Sequence, residues 1–262
     1  MDTTTATQHN LRSVARETAV KVPEVTAAFW VTKVLTTGMG ETASDFLFHH
    51  LSHVITLCVE IAGFVTAMAL QSRARRYVPW IYWFAVVMVS VFGTMAADVV
   101  HVGLGVPYTA STAFFVVVLS VIFAWWYGKE KTLSIHSIRT RRRERFYWAT
   151  VLATFALGTA AGDWTAKTLN LGYLSSGLLF AAVIVVPLIG WRWFRLNSIV
   201  AFWFAYIVTR PLGASFADWF AYGSPHWGTG PITAVLTIAI VGLVAYMTAR
   251  DRKGRKSDDQ LV

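Results

Sequence analysis

Four times in this chain a Trp stands fifteen residues ahead of an Asp, with a Gly five residues ahead of the same Asp. The copies are Trp30, Gly40, Asp45; Trp83, Gly93, Asp98; Trp148, Gly158, Asp163; and Trp203, Gly213, Asp218. Three residue types at fixed spacing in four places, without gaps, define an internal repeat, and a repeat sets the architecture before any single residue does. Each copy lies in an apolar run long enough to cross a bilayer, which takes about 20 residues. The expectation is four similar membrane hairpins, each carrying one acid at the same depth.

Composition agrees with lipid as the solvent. Hydrophobic residues make up 55% of the 262 and charged residues 14%, where a soluble domain carries about 25% charged. Spans are predicted at 26–48, 52–70, 79–103, 109–127, 146–168, 173–190, 197–221 and 230–249. The predicted fold class is an all-α integral membrane protein, with eight transmembrane helices as four parallel two-helix repeats and both termini cytoplasmic. The repeats are placed at 25–71, 77–128, 146–191 and 196–249. A polar tail (1–24), a basic connector (129–145) and a charged tail without fixed structure (250–262) complete the chain. First helices of the hairpins are expected at the centre and second helices outside. The single Cys58 excludes an internal disulfide and reads as a buried thiol.

Orientation follows from the basic residues, which gather on the cytoplasmic side of membrane proteins. All Lys and Arg except Lys33, Lys167 and Arg210 fall on one side, in 12–21, 73–76, 129–145, 192–195 and 250–256. This asymmetry accounts for the net charge of +9 and removes the need for a nucleic-acid partner. The repeats are then parallel, related by an axis along the membrane normal. Trp125, Trp126, Trp191 and Trp193 at the inner ends, and Trp219 and Trp227 at the outer, are expected in interfacial belts.

The charges inside the membrane carry the functional reading. Arg195 to Asp218 is about 34 Å of helix at 1.5 Å per residue, so the four aspartates belong near the outer surface. Glu41 and Glu60 lie deeper, with Lys33 and Arg210. A charge near the bilayer centre costs about 2.5–3.5 kcal/mol on insertion scales, so these residues must face protein or a watery cavity. Thr37, Glu41, Asp45 and His49 follow at steps of four, as do Ser90, Thr94, Asp98 and Arg210, Ala214, Asp218. Such stripes on three central helices would line one cavity. Outer-end capping is the bland reading of the aspartates, but it leaves Glu41, Glu60 and Arg210 unexplained. Six acids against three bases leave an excess that needs protons or a bound cation.

From this we expect a cation transporter without enzymatic activity or a covalent cofactor, with a divalent metal ion as the first substrate candidate, coupled to protons. Glu41, Asp45, His49, Asp98, Asp163 and Asp218 are the candidate ligands, since imidazole with carboxylate suits transition metals. Lys33, Glu60 and Arg210 are expected to set the charge balance, with Arg210 neutralising an aspartate and Lys33 serving Glu60 or Glu41. Pro211 and Gly213 beside Arg210 predict a broken helix there. Two other classes stay open: a transporter of small organic cations or drugs, and a non-transporting scaffold or redox (haem) module. The partners expected are the bilayer and a small cation, with a second copy of the chain as an open alternative.

The repeated Gly-x-x-x-x-Asp, the opening KVPEVTAAFWVTKVLTTGMGETASDF and the connector KTLSIHSIRTRRRERFYW resemble a family of bacterial inner-membrane proteins built of four tandem copies of a repeat of unknown function. The resemblance implies four two-helix repeats in the cytoplasmic membrane and no particular substrate. Within the repeats Glu41 departs from the pattern, standing where Thr94 and Thr159 stand in the second and third copies.

The charge asymmetry generates a topological test. A reporter fused after residue 250 should read as cytoplasmic; an external reading would require an odd number of spans and break the four-hairpin repeat.

Overall fold

In the computed structural model, which describes residues 20–224 and 226–260, the described residues are helical with short connections. We number the helices α1 (Ala27–His50), α2 (His53–Arg73), α3 (Pro79–Asp98), α4 (Tyr108–Glu130), α5 (Arg141–Asp163), α6 (Gly172–Val183), α7 (Val185–Trp193), α8 (Ser198–Tyr222) and α9 (Thr229–Gln260). Their starts are written locally. Thr26, Ser52, Thr140 and Asn197 accept from backbone N–H groups of the first turns of α1, α2, α5 and α8, and Pro79 opens α3. Directly after Asp98 and Asp163, at equivalent repeat positions, α3 and α5 widen into π-helical turns, Val99–Gly103 and Trp164–Thr168.

Six helical units are long and apolar enough to cross a membrane: α2, α3 with its π turn, α4, α6 with α7, α8, and α9 up to Arg252. They mark a multi-pass membrane protein. Its surface is apolar and its interior charged, the reverse of a soluble fold: Val54, Val65, Val117, Leu178 and Ile238 are exposed while Lys33, Glu60 and Arg210 are buried. Helices α1 and α5 are not among the six. Their buried residues include many Thr, Ser and Gly, with the charged Lys33 and Glu41 of α1 and Glu144 and Asp163 of α5.

The first helices of the repeats, α1, α3, α5 and α8, form a ring in which each packs on the next and α8 closes back on α1. The second helices lie outside it. Each packs chiefly on the first helix of the following repeat: α2 on α3, α4 on α5, α6 on α8, and α9 on α1. The expected hairpins are therefore interleaved, and contact between α1 and α2 is slight. Glycines set the ring. A Cβ on Gly40, Gly93, Gly158 or Gly213 would meet, below 3.0 Å, Ser90, Phe155, Arg210 or Thr37 respectively. Each glycine is ten residues after its repeat Trp and each neighbour seven after the next Trp, so one contact recurs four times around a single axis.

Several expectations change here. Helix α8 runs unbroken through Arg210 and Pro211, with the proline ring seated against Gly158. The break falls instead between α6 and α7, because Pro187 lacks an N–H and its ring crowds the carbonyl of Val183, where α6 ends. Helix α9 continues to Gln260, so most of the charged tail 250–262 is helical. Cys58 is exposed, since the buried face of α2 is Thr56, Glu60, Ala67 and Gln71. Trp126 is buried in an aromatic cluster and so is not interfacial, whereas Trp125, Trp191, Trp193 and Trp227 are exposed. Of the polar tail 1–24, residues 1–19 lie outside the described residues.

At the tryptophan end the ring is shut. Phe29, Tyr82, Trp83, Tyr147, Trp148, Trp203 and Tyr206 fill it, and the connector adds Ile135 and Ile138. The strand of chain before α1 lies across this end: Lys21 N donates to Ile138 O at 3.0 Å, and Lys21 Nζ meets Glu144 at 2.6 Å with both side chains buried.

The glycine contacts predict a graded result. Gly213→Ala places a methyl against the backbone of Val34 and should cost about 1–3 kcal/mol by overpacking, read as a lower thermal midpoint in detergent. Gly242→Ala on α9, where no atom lies within 4 Å of the new Cβ, should leave that midpoint unchanged or raised.

Candidate functional site

Along the axis the repeats stack side chains in layers four residues apart. Seven residues after each Trp come Thr37, Ser90, Phe155 and Arg210; eleven after come Glu41, Thr94, Thr159 and Ala214; fifteen after come the aspartates. The steps of four keep each set on one helix face, and the glycine contacts bring the four faces together.

The middle of the axis holds one ion pair. Arg210 is 0% exposed, and its Nη2 lies 2.6 Å from Glu41 Oε2. The same Nη2 donates to Thr159 Oγ1 at 2.8 Å and to Thr94 Oγ1, and Nη1 donates to the Thr37 carbonyl at 2.5 Å. Thr94 and Thr159 in turn donate to Glu41 Oε2 at 3.2 Å. Of the four hydroxyls in these two layers, those of Thr94 and Thr159 support the pair, while Arg210 Nε is buried without a hydrogen-bond partner. The expectation that Arg210 neutralises an aspartate is corrected: its partner is Glu41. Lys33 pairs with neither Glu41 nor Glu60. Its buried Nζ has no hydrogen-bond partner and sits 3.9 Å from the Phe155 ring centre and 4.3 Å from that of Tyr206, a cation–π cage.

Beyond Glu41 the axis opens into a cavity of about 730 Å³. Glu41 and all four aspartates line it, so the repeat does deliver its acids to one place. Lys167 Nζ holds Asp163 Oδ1 at 2.9 Å, and Tyr222 donates to Asp45 Oδ2 at 2.9 Å. Asp218 is buried, with Oδ1 lacking a partner. His49 lines the cavity, but its Nδ1 engages the Asp45 carbonyl at 2.7 Å. Among the described residues no three His, Cys, Asp or Glu side chains come close enough to hold one metal ion. Glu60 lies off the axis on α2, fully buried, bonded by Ser44 at 2.9 Å.

Three tyrosines of the wall, Tyr108, Tyr173 and Tyr222, were not among the residues expected here. The repeat register holds their signal. Tyr108 and Tyr173 each stand ten residues after the repeat Asp, and Tyr222 stands four after, in step with His49, Val102 and Lys167. All six line the cavity.

The family repeat described as "Repeat of Unknown Function (DUF347)" matches this chain four times, at residues 28–77, 81–132, 146–197 and 201–253. These segments carry the same offsets as the four Trp-Gly-Asp sets. No curated protein and no solved structure matches the chain.

The ion pair predicts an asymmetric stability cycle. Glu41→Gln leaves the Arg210 guanidinium buried without its counter-charge and should cost about 3–5 kcal/mol, read as a marked fall in the thermal midpoint. Adding Arg210→Met to Glu41→Gln should restore much of that loss; a double variant as unstable as the single would mean that the pair does not organise the axis.

Proposed function

The chain belongs to the family built from the DUF347 repeat, and we propose that it is a proton-coupled cation transporter of the bacterial cytoplasmic membrane, with the acid-lined cavity as its outward-facing cation site. The observation that carries this reading is the convergence of five carboxylates on one cavity where two basic side chains, Arg210 and Lys167, answer them. Anionic surplus at membrane depth is costly unless a cation or protons neutralise it. In this reading α1 and α5 also span, giving eight spans, and the excess Lys and Arg put both chain ends and the connector in the cytoplasm. The aspartate end then faces outward. Below Glu41, the Arg210 layer, Lys33 in its cage and the aromatic cluster block the axis, as an outward-open state requires.

A small organic ammonium is the substrate class that the wall suits best. The volume falls within the range of small-molecule sites, about 300–1,000 Å³. Tyr108, Tyr173, Tyr222 and Phe48 supply aromatic surface beside the acids, the combination that attracts an alkylated cation. A divalent metal ion is the second reading, favoured by the number of carboxylate oxygens. With no three ligands together, it would be held through its water shell. Passage inward would need the ring helices to shift against one another, since Arg210, Lys33 and the aromatic cluster fill the axis below Glu41.

Purified protein titrated with tetraethylammonium and, separately, with Mn²⁺ tests the reading. One of the two should bind saturably, and Asp98→Asn should weaken that binding at least about tenfold, the effect of losing about 1.4 kcal/mol. The same variant should keep its thermal midpoint, because Asn has the shape of Asp and Asp98 makes no ion pair among the described residues. Absence of saturable binding of either probe by the native protein would overturn the proposal and leave a scaffold or redox role.

A further inference from the structure

We propose that Glu60 is a proton-binding site set beside the axis, distinct from the cation cavity and joined to it by the Ser44 hydroxyl. This deepens the transport reading by assigning the coupling proton its own residue. Helix α2 is mostly surface, and the described face that it buries is the narrow stripe Thr56, Glu60, Ala67 and Gln71. A glutamate in that stripe is 0% exposed. Its Oε1 accepts from Ser44 Oγ at 2.9 Å, while Oε2 is buried with no partner. No Lys, Arg or His forms an ion pair with it among the described residues. The contrast with Glu41 is direct: that acid is also buried but has Arg210 and two threonines. A carboxylate in such surroundings is left with an uncompensated charge, which a proton on the carboxyl group removes.

The site is one hydroxyl away from water. Ser44 and Thr56 both line the cavity, and Thr56 stands one helical turn from Glu60 while its own hydroxyl is committed to the Leu47 carbonyl at 3.0 Å. Ser44 is thus the group that touches both the cavity and Glu60. A proton delivered by cavity water to Ser44 Oγ, as the proton already on Ser44 passes to Glu60, leaves Ser44 unchanged and Glu60 neutral; release is the reverse. The titratable groups on the helices packed against α2 are Lys33, Glu41, Asp45, His49 and His50 of α1 and Tyr82 and Asp98 of α3. Glu41, Asp45, His49 and Asp98 line the cavity, and Asp45, next in the chain to the Ser44 that bonds Glu60, is the acid whose charge bears on it. Toward α2 itself, α3 turns Met88 against Gly63 and Phe92 against Phe64. A cation entering beside Asp45 therefore favours the ionised form of Glu60 and expels its proton, and by reciprocity the proton opposes the cation. The repeat register adds that this acid is unique: Ala113, Leu178 and Thr233 occupy the equivalent places.

Infrared titration of the protein in liposomes reads the site without any substrate. Native protein should show a protonated-carboxyl band that Glu60→Gln removes and Asp98→Asn retains. Ser44→Ala, which takes away the hydrogen bond, should shift the frequency of that band, and it serves if Glu60→Gln does not fold. In weakly buffered solution, tetraethylammonium or Mn²⁺ should release protons from the native protein. Glu60→Gln should bind the same probe within about threefold, a difference under about 1 kcal/mol, yet release fewer protons. A band unaffected by Glu60→Gln, or by Ser44→Ala, overturns the proposal, as does undiminished proton release from Glu60→Gln. If neither probe binds while Glu60→Gln still removes the band, the proton site stands and the cation-transport reading falls.

Discussion

The buried pair of Arg210 with Glu41 is the interaction on which the rest of this structure turns. A guanidinium at the middle of an apolar bundle is tolerable only with its charge answered. Three helices answer it, with Glu41 and the Thr37 carbonyl from α1, Thr94 from α3 and Thr159 from α5. The pair therefore ties all four ring helices to one point on the axis. It also divides the axis. On one side lie Lys33 and the aromatic cluster, and on the other lie the cavity and its aspartates.

That pair also shows how four repeats become one asymmetric site. The backbone contact is shared, since each Gly admits the next helix at the same register. The side chains at the shared positions are not. Glu41 replaces a threonine in the first repeat, Phe155 and Arg210 replace small polar residues in the third and fourth, and Lys33 occurs once. Near-fourfold geometry sets where side chains meet, and departures from the repeat set what they can do there. The aspartates are the exception, because they recur unchanged and so form a mouth of nearly uniform chemistry around a specialised floor.

Interleaving of the outer helices has its own consequence. Because each second helix packs on the following repeat and α9 returns to α1, no repeat is a self-contained hairpin. The ring closes covalently through its connections and non-covalently at the α8–α1 and α9–α1 contacts. A shift of one first helix is accordingly transmitted to the outer helix of the preceding repeat, which gives a parallel-repeat bundle a way to move around a fixed site.

Much of this was legible in the chain. The Trp-Gly-Asp spacing gave four equivalent units, composition gave the membrane, and the steps of four put Glu41, Asp45, Asp98 and Asp218 on inward faces, because helical periodicity is a local property. Local rules failed where a neighbour overrode them. Pro211 sits in an unbroken helix because Gly158 leaves room for its ring, while the less conspicuous Pro187 divides α6 from α7. Pairing was beyond the sequence altogether. Which acid meets Arg210, that Lys33 rests on Phe155 and Tyr206 without a carboxylate, and that Tyr108, Tyr173 and Tyr222 join the aspartates depend on residues separated by up to 177 positions along the chain. Spacing fixes the face and depth of a side chain, but only the closing of the ring decides what stands opposite it.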